Sequence, residues 1–174
     1  MALDRDALAG DEQQIRDTCM RYWAAVDRND VELYLSAFTP DAVLVQLGGQ
    51  KIVSIQDRAR EGKLTTHYAF TSHAPASQVI LVEGDSATVD TLVVAHLVLK
   101  SGPIHVRGLR YLDDLVRAES GWRIRRRQHF ALWQYKVGGF SPYPPANRED
   151  ATAGAGQGSD TGTPGPGGPT APRT

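Results

Sequence analysis

Two of the chain's five histidines fall inside apolar stretches: His73 in "TSHAPASQVILVE" and His96 in "TLVVAHLVLK". Imidazole ordinarily ionises near pH 6.5, so a histidine held in a pocket suits general base chemistry. Such a base needs its tautomer fixed. A carboxylate accepting from one ring nitrogen leaves the other free to take a proton. Asp27, closing "RYWAAVD", is the candidate carboxylate. It stands at the C-terminal end of a helical pattern, where the macrodipole disfavours negative charge, so it does not serve that helix. The alternatives stay open here. Asp27 can help cap the next helix, His73 can be a loop histidine bonded to water or backbone, and His96 can be a second pocket acid or a satisfied core histidine.

Tyr22 precedes Asp27 by five residues. At about 100° per residue the two are not on one face, yet both can border a pocket if the helix end lies across its mouth. Core packing is the alternative for Tyr22 and the reading for Trp23. In "RIRRRQHFALW", strand alternation sends one parity inward. An inward Arg127 would stabilise a developing anion; otherwise the arginine run is a solvated face. Arg127, His129 and Trp133 share a parity, which suggests a polar-lined cavity with His129 and Trp133 against the ligand, or a wet face. No metal site is expected, because His67, His73, His96, His105 and His129 lack i, i+4 or Cys-paired spacing. Nucleophile-elbow, phosphate-loop and dinucleotide motifs are absent. Cys19 has no evident partner and reads as core.

The elements that must position these groups follow from patterning. The chain has 174 residues, 41% hydrophobic and 22% charged, with net charge −1. That balance gives no field for nucleic acid or an anionic membrane. The N-terminus is polar, with no apolar signal core, and no apolar run approaches the roughly 20 residues of a membrane span; a cytoplasmic protein is expected. From Pro142 the text turns to Gly, Pro, Ala and Thr. Such a stretch cannot bury enough apolar surface to offset its ordering entropy. The expected organisation is an N-terminal segment over 1–10, a domain over 11–140 and a disordered tail over 141–174.

Within the domain, Ile15, Cys19, Tyr22, Trp23 and Val26 form a helical stripe, with Asp11 as the expected N-cap. "VELYLSAF" reads as a second helix ended by Pro40, "AVLVQL" as a strand and "SIQDRAREGKL" as a third helix. Four long strands with Gly-containing turns follow, an antiparallel meander. Helices first and strands later predict an α+β fold, a curved sheet whose concave side takes the helices and leaves a pocket. The strand of His96 is apolar on both faces, so both are expected to be covered.

This order of parts, with "RYWAAVD", "TSHAPAS" and "RYLDDLVRAESGWRI", resembles the SnoaL-like branch of the nuclear transport factor 2-like superfamily over about residues 10–137. It is similar to scytalone dehydratase, hexachlorocyclohexane dehydrochlorinase and bile-acid 7α-dehydratase. The resemblance implies a cone-shaped α+β barrel, a mixed and mostly antiparallel sheet enclosing a deep pocket. It implies a dyad at Asp27 and His73, with Tyr22 and Arg127 matching further pocket positions and His96 a candidate second histidine. The dehydrochlorinase has a lysine where Tyr22 stands, so that activity is not implied. The expected function is a cofactor-independent lyase, dehydratase-like, acting beside a carbonyl on a hydrophobic cyclic molecule such as a steroid or polyketide. A ketosteroid isomerase-like or cyclase-like enzyme, or a non-catalytic binding or dimerisation module, are the alternatives. A homodimer or homotrimer is expected.

Overall fold

A computed structural model describes residues 5–46, 51–60 and 64–138. They belong to the unit spanning 1–140; the tail expected over 141–174 lies outside the described residues. Helices α1 (Arg5–Arg28) and α2 (Val31–Ser36) come first. Then follow β1 (Phe38–Gln46), β2 (Lys51–Ser54), α3 (Ile55–Arg60), β3 (Tyr68–Glu83), β4 (Ser86–Leu99), β5 (Ile104–Ala118) and β6 (Gly121–Val137). The strands form one curved sheet in the order β2-β1-β6-β5-β4-β3. Among the described strands only the β1–β6 pair is parallel. The fold is α+β as expected, with the sheet left open between its edge strands β2 and β3 instead of closed into a barrel.

The inner face is built by alternation. Val89, Thr91, Val93, Ala95 and Leu97 on β4, and Leu109, Tyr111, Asp113 and Leu115 on β5, are buried. Against them lies the α1 stripe, where Ile15, Cys19 and Trp23 are at most 1% exposed. Burying each such large side chain contributes about 1.5–3 kcal/mol. Thr18 Oγ1 donates to the Trp122 carbonyl at 3.0 Å, tying the helix to β6.

Several local expectations are corrected. The helix is already formed at Arg5, so residues 5–10 are its first turns and Asp11 is not its cap. Asp11 instead accepts from Arg117 Nη1 (2.7 Å), Arg117 Nη2 (2.6 Å) and Trp122 Nε1 (3.1 Å). Those hydrogen bonds, with Arg117 foremost, hold its carboxyl below the usual range. Pro40 lies inside β1, in the gap of the β1–β6 ladder between Phe38 and Val43, where its missing N–H costs no bond. Strand β2 was not foreseen, because "KIVS" is too short to show a period. The outer face of β4 is covered only in part: Val98 is buried, but Leu92 is 41% exposed and His96 is exposed.

Two bulges in β6 decide which of its side chains face inward. The β5–β6 register shifts between Asp114 and Leu115, and again between Gly108 and Leu109. Each leaves one β6 residue unpaired, Arg125 and Leu132, and reverses the alternation. Ile124 and Arg127 therefore share the inner face although they are three positions apart. Trp133 is turned away from it. Among the described residues, no helix is long and apolar enough to cross a membrane.

Candidate active site

Helix α1 ends directly after Asp27 because Asn29 adopts a left-handed φ of 54°, a conformation Asn tolerates better than most residues. Asn29 Oδ1 also accepts from the Leu64 N–H at 2.7 Å. Asp30 then caps α2, accepting from the Leu33 N–H, so Asp27 has no part in capping. Its carboxylate turns to β3. Oδ2 accepts from the His73 N–H at 2.9 Å, and Oδ1 from Thr71 Oγ1 at 2.8 Å. Oδ1 also lies 2.7 Å from His73 Nδ1. Burial pushes the Asp27 carboxyl up, but the His73 ring, its charge, its backbone N–H and Thr71 together hold it below its ordinary value. Three donors thus offset the unfavourable helix end.

The pairing sets the imidazole. With Nδ1 donating to Asp27, Nε2 carries the lone pair, and His73 lines a cavity of about 270 Å³. Its side chain is 7% exposed. His73 lies in the interior of β3, which begins at Tyr68. Tyr22, Tyr34, Tyr68 and Tyr111 share the cavity wall with Val26, Leu44, Leu97 and Leu109. Burial pushes the Tyr22 phenol up, against the opposing charge of Arg127, so it stays a neutral donor. His129 is on the wall too, stacked on Tyr111 with ring centroids 5.1 Å apart and planes at 10°. Burial, then the charges of Arg127, Arg107 and His73, bring its pKa down to about 4. It is a neutral ring whose Nε2 is buried without a hydrogen-bond partner.

Three expected site residues lie elsewhere. His96 is on the outer face, between the inward Ala95 and Leu97, and does not line the cavity. Trp133 is also outside, 47% exposed, its ring over Gly108 and stacked on Tyr135. The bulge at Leu132 put it there. Arg127 does point inward but stops short of the cavity wall. Its Nε and Nη2 each donate to Asp113 at 2.6 Å, with both side chains at most 1% exposed. Its guanidinium lies 4.0 Å from the Tyr22 ring centroid, 5.0 Å from Tyr111 and 5.3 Å from Trp23. Burial disfavours this charge, and the Asp113 carboxylate more than offsets it, raising the guanidinium above its ordinary range. Arg127 is the ionic core of the aromatic cluster behind Tyr22.

Sequence reasoning missed Thr71, Asp113 and Arg107. Thr71 was legible from strand parity, two residues before His73. Asp113 and Arg107 share the parity of Leu109 and Tyr111 on β5. Among the described residues, no three His, Cys, Asp or Glu side chains converge as metal ligands.

The sequence pattern of the SnoaL-like domain matches residues 8–128. The chain belongs to the SnoaL-like family. An uncharacterized protein of Mycobacterium tuberculosis is 27% identical to this SnoaL-like chain over 140 residues, covering 76% of it and 95% of the relative. A scytalone dehydratase-like protein of Novosphingobium aromaticivorans superposes with TM-score 0.68 at 19% identity, over 82% of this chain and 99% of that one. Hexachlorocyclohexane dehydrochlorinase LinA-type3 of Novosphingobium barchaimii gives TM-score 0.70 at 16% identity, with the same coverages. At these identities the two structures establish the shared fold.

Proposed function

We propose that this SnoaL-like protein is a cofactor-independent lyase of the dehydratase type. Its substrate is a hydrophobic cyclic molecule, of the steroid or polyketide kind, with a hydroxyl one carbon beyond a carbonyl-activated C–H. His73 Nε2 takes the proton, and the electron pair moves into the carbonyl to give an enolate. Collapse of the enolate expels the hydroxyl, which leaves as water with the proton returned by the imidazolium. Asp27 fixes the ring and stabilises the imidazolium, and Tyr22 donates a hydrogen bond to the carbonyl oxygen as charge develops there. The observation that carries this reading is the 2.7 Å His73–Asp27 contact, made by a histidine that lines a tyrosine-rich cavity. The named neighbours, a dehydratase-like protein and a dehydrochlorinase, lend support because both names denote eliminations.

The test is a panel of cyclic β-hydroxy ketones incubated with the full chain and followed by mass spectrometry. A product lighter by one water is expected; a product of unchanged mass would assign an isomerase or cyclase. On any converted compound, His73→Ala and Asp27→Asn should each lower kcat by about 10²–10⁴-fold. Full turnover in both variants would end the reading.

A further inference from the structure

Two arginines on the cavity wall, Arg58 and Arg107, have no role in that chemistry; Arg58 Nη2 donates to the Leu64 carbonyl. Arg107 lies on β5 at the inward parity of Leu109 and Tyr111, half-buried and lining the cavity. Its side-chain hydrogen bond among the described residues runs from Nε to Gln134 Oε1, a neutral amide. A guanidinium carries five N–H donors, so those on Nη1 and Nη2 remain available. Among the described residues no Asp or Glu lines the cavity, and Asp27, behind His73, is already engaged by three donors. A cation facing a partly desolvated space without a counter-charge is unfavourable unless a ligand supplies one.

The sheet register fixes where Arg107 stands relative to the base. His73 pairs with Ala95, Ala95 with Arg107, and Arg107 with Gln134, so these residues form one row across four strands. Strands are spaced about 4.8 Å apart, which puts the backbone of Arg107 about 10 Å from that of His73, across the cavity floor. His129 pairs with Tyr111, two inward positions along from Arg107. Its buried, unpartnered Nε2 is a second polar atom in want of a ligand. Its pKa near 4 keeps it neutral, so it adds a hydrogen bond and leaves the charge to Arg107.

We propose that Arg107 and His129 form an anion subsite across the cavity from His73, so that the substrate is a cyclic compound bearing a carboxylate. The carboxylate binds the Arg107 guanidinium, with His129 alongside, and the ring spans the space to His73, placing its acidic C–H at Nε2. This substrate class rests on the lyase reading above. The subsite itself is tested by binding alone, so the two can fail separately.

The probes are 2-naphthoate and its uncharged isostere 2-naphthamide, titrated into the full chain by calorimetry near neutral pH. A charged hydrogen bond is worth about tenfold or more in affinity, so 2-naphthoate should bind at least about tenfold tighter than the amide. Arg107→Gln should reduce that preference to within about twofold, Arg107→Lys should keep part of it, and raising salt should weaken it. His73→Ala should leave the preference intact even where turnover is lost. If Arg107→Gln does not fold, the lysine variant and the salt dependence decide. Equal binding of acid and amide by the unmodified protein, or a preference that survives Arg107→Gln, would overturn the subsite. So would failure of both probes to bind at millimolar concentration.

Discussion

Removing the carboxylate of Asp113 should be among the most damaging single changes to this fold. Asp113→Ala leaves the Arg127 guanidinium in place, at most 1% exposed and without its counter-charge. Two charge-assisted hydrogen bonds of 2.6 Å are lost at once. At about 1.5–3 kcal/mol for each bond to a charged group, the loss is about 3–6 kcal/mol, in line with the 3–5 kcal/mol typical of breaking a buried pair. The double variant Asp113→Leu/Arg127→Met removes both charges and keeps most of the volume. It also forfeits the cation–π contacts with Tyr22, Tyr111 and Trp23, together about 1–2 kcal/mol. The double variant should therefore be less damaged than Asp113→Ala alone, with a coupling energy above about 2 kcal/mol. Urea unfolding measures this directly. With m about 2 kcal/mol/M, Asp113→Ala should lower the midpoint by about 2 M at unchanged m. A loss below about 1 kcal/mol for Asp113→Ala, or strict additivity in the double variant, would refute the idea that these charges depend on each other in a dry core.

The neutral, buried His129 makes stability depend on pH. Its folded pKa, about 4, lies below the ordinary 6.5, so the unfolded chain binds more protons between those values. Stability should then be full above about pH 6.5 and fall as pH drops toward 4, by up to about 3 kcal/mol; His129→Phe should flatten that part of the profile in denaturant titrations from pH 4 to 7. Because His96 and Trp133 lie on the outer face, His96→Ala and Trp133→Ala should leave kcat/KM within about twofold of the unmodified protein, and a drop of tenfold or more in either would return that residue to the site.

The pairing of Asp27 with His73 was legible because each residue is out of place locally. An acid at a helix C-terminus and a histidine in an apolar strand both violate ordinary preferences, and such conflicts concentrate at sites. The α+β class was legible from the order of helical and strand periods, and the turns from Gly84, Gly102 and Gly121, all at positive φ. The wall of the cavity was less so. Strand parity counts correctly only until a residue is inserted, and β6 carries two insertions, at Arg125 and Leu132. Nothing in "RIRRRQHFALW" marks them.

What the sequence by itself determined is therefore local: which segments are helix and strand, where they turn, and which residues are chemically misplaced in them. Only the tertiary structure decided which faces are inside. Helix α1 covers one side of the open sheet and the other is covered only in places, so His96 is exposed on a strand that is apolar on both faces. The long-range pair Asp113–Arg127 closes on itself and takes Arg127 out of the cavity. Arg107, one arginine among many in the text, becomes a cation of the cavity wall because strand register lines it up with Ala95 and His73. Charge pairing and register join residues far apart in sequence, and no local pattern encodes which partner each side chain will meet.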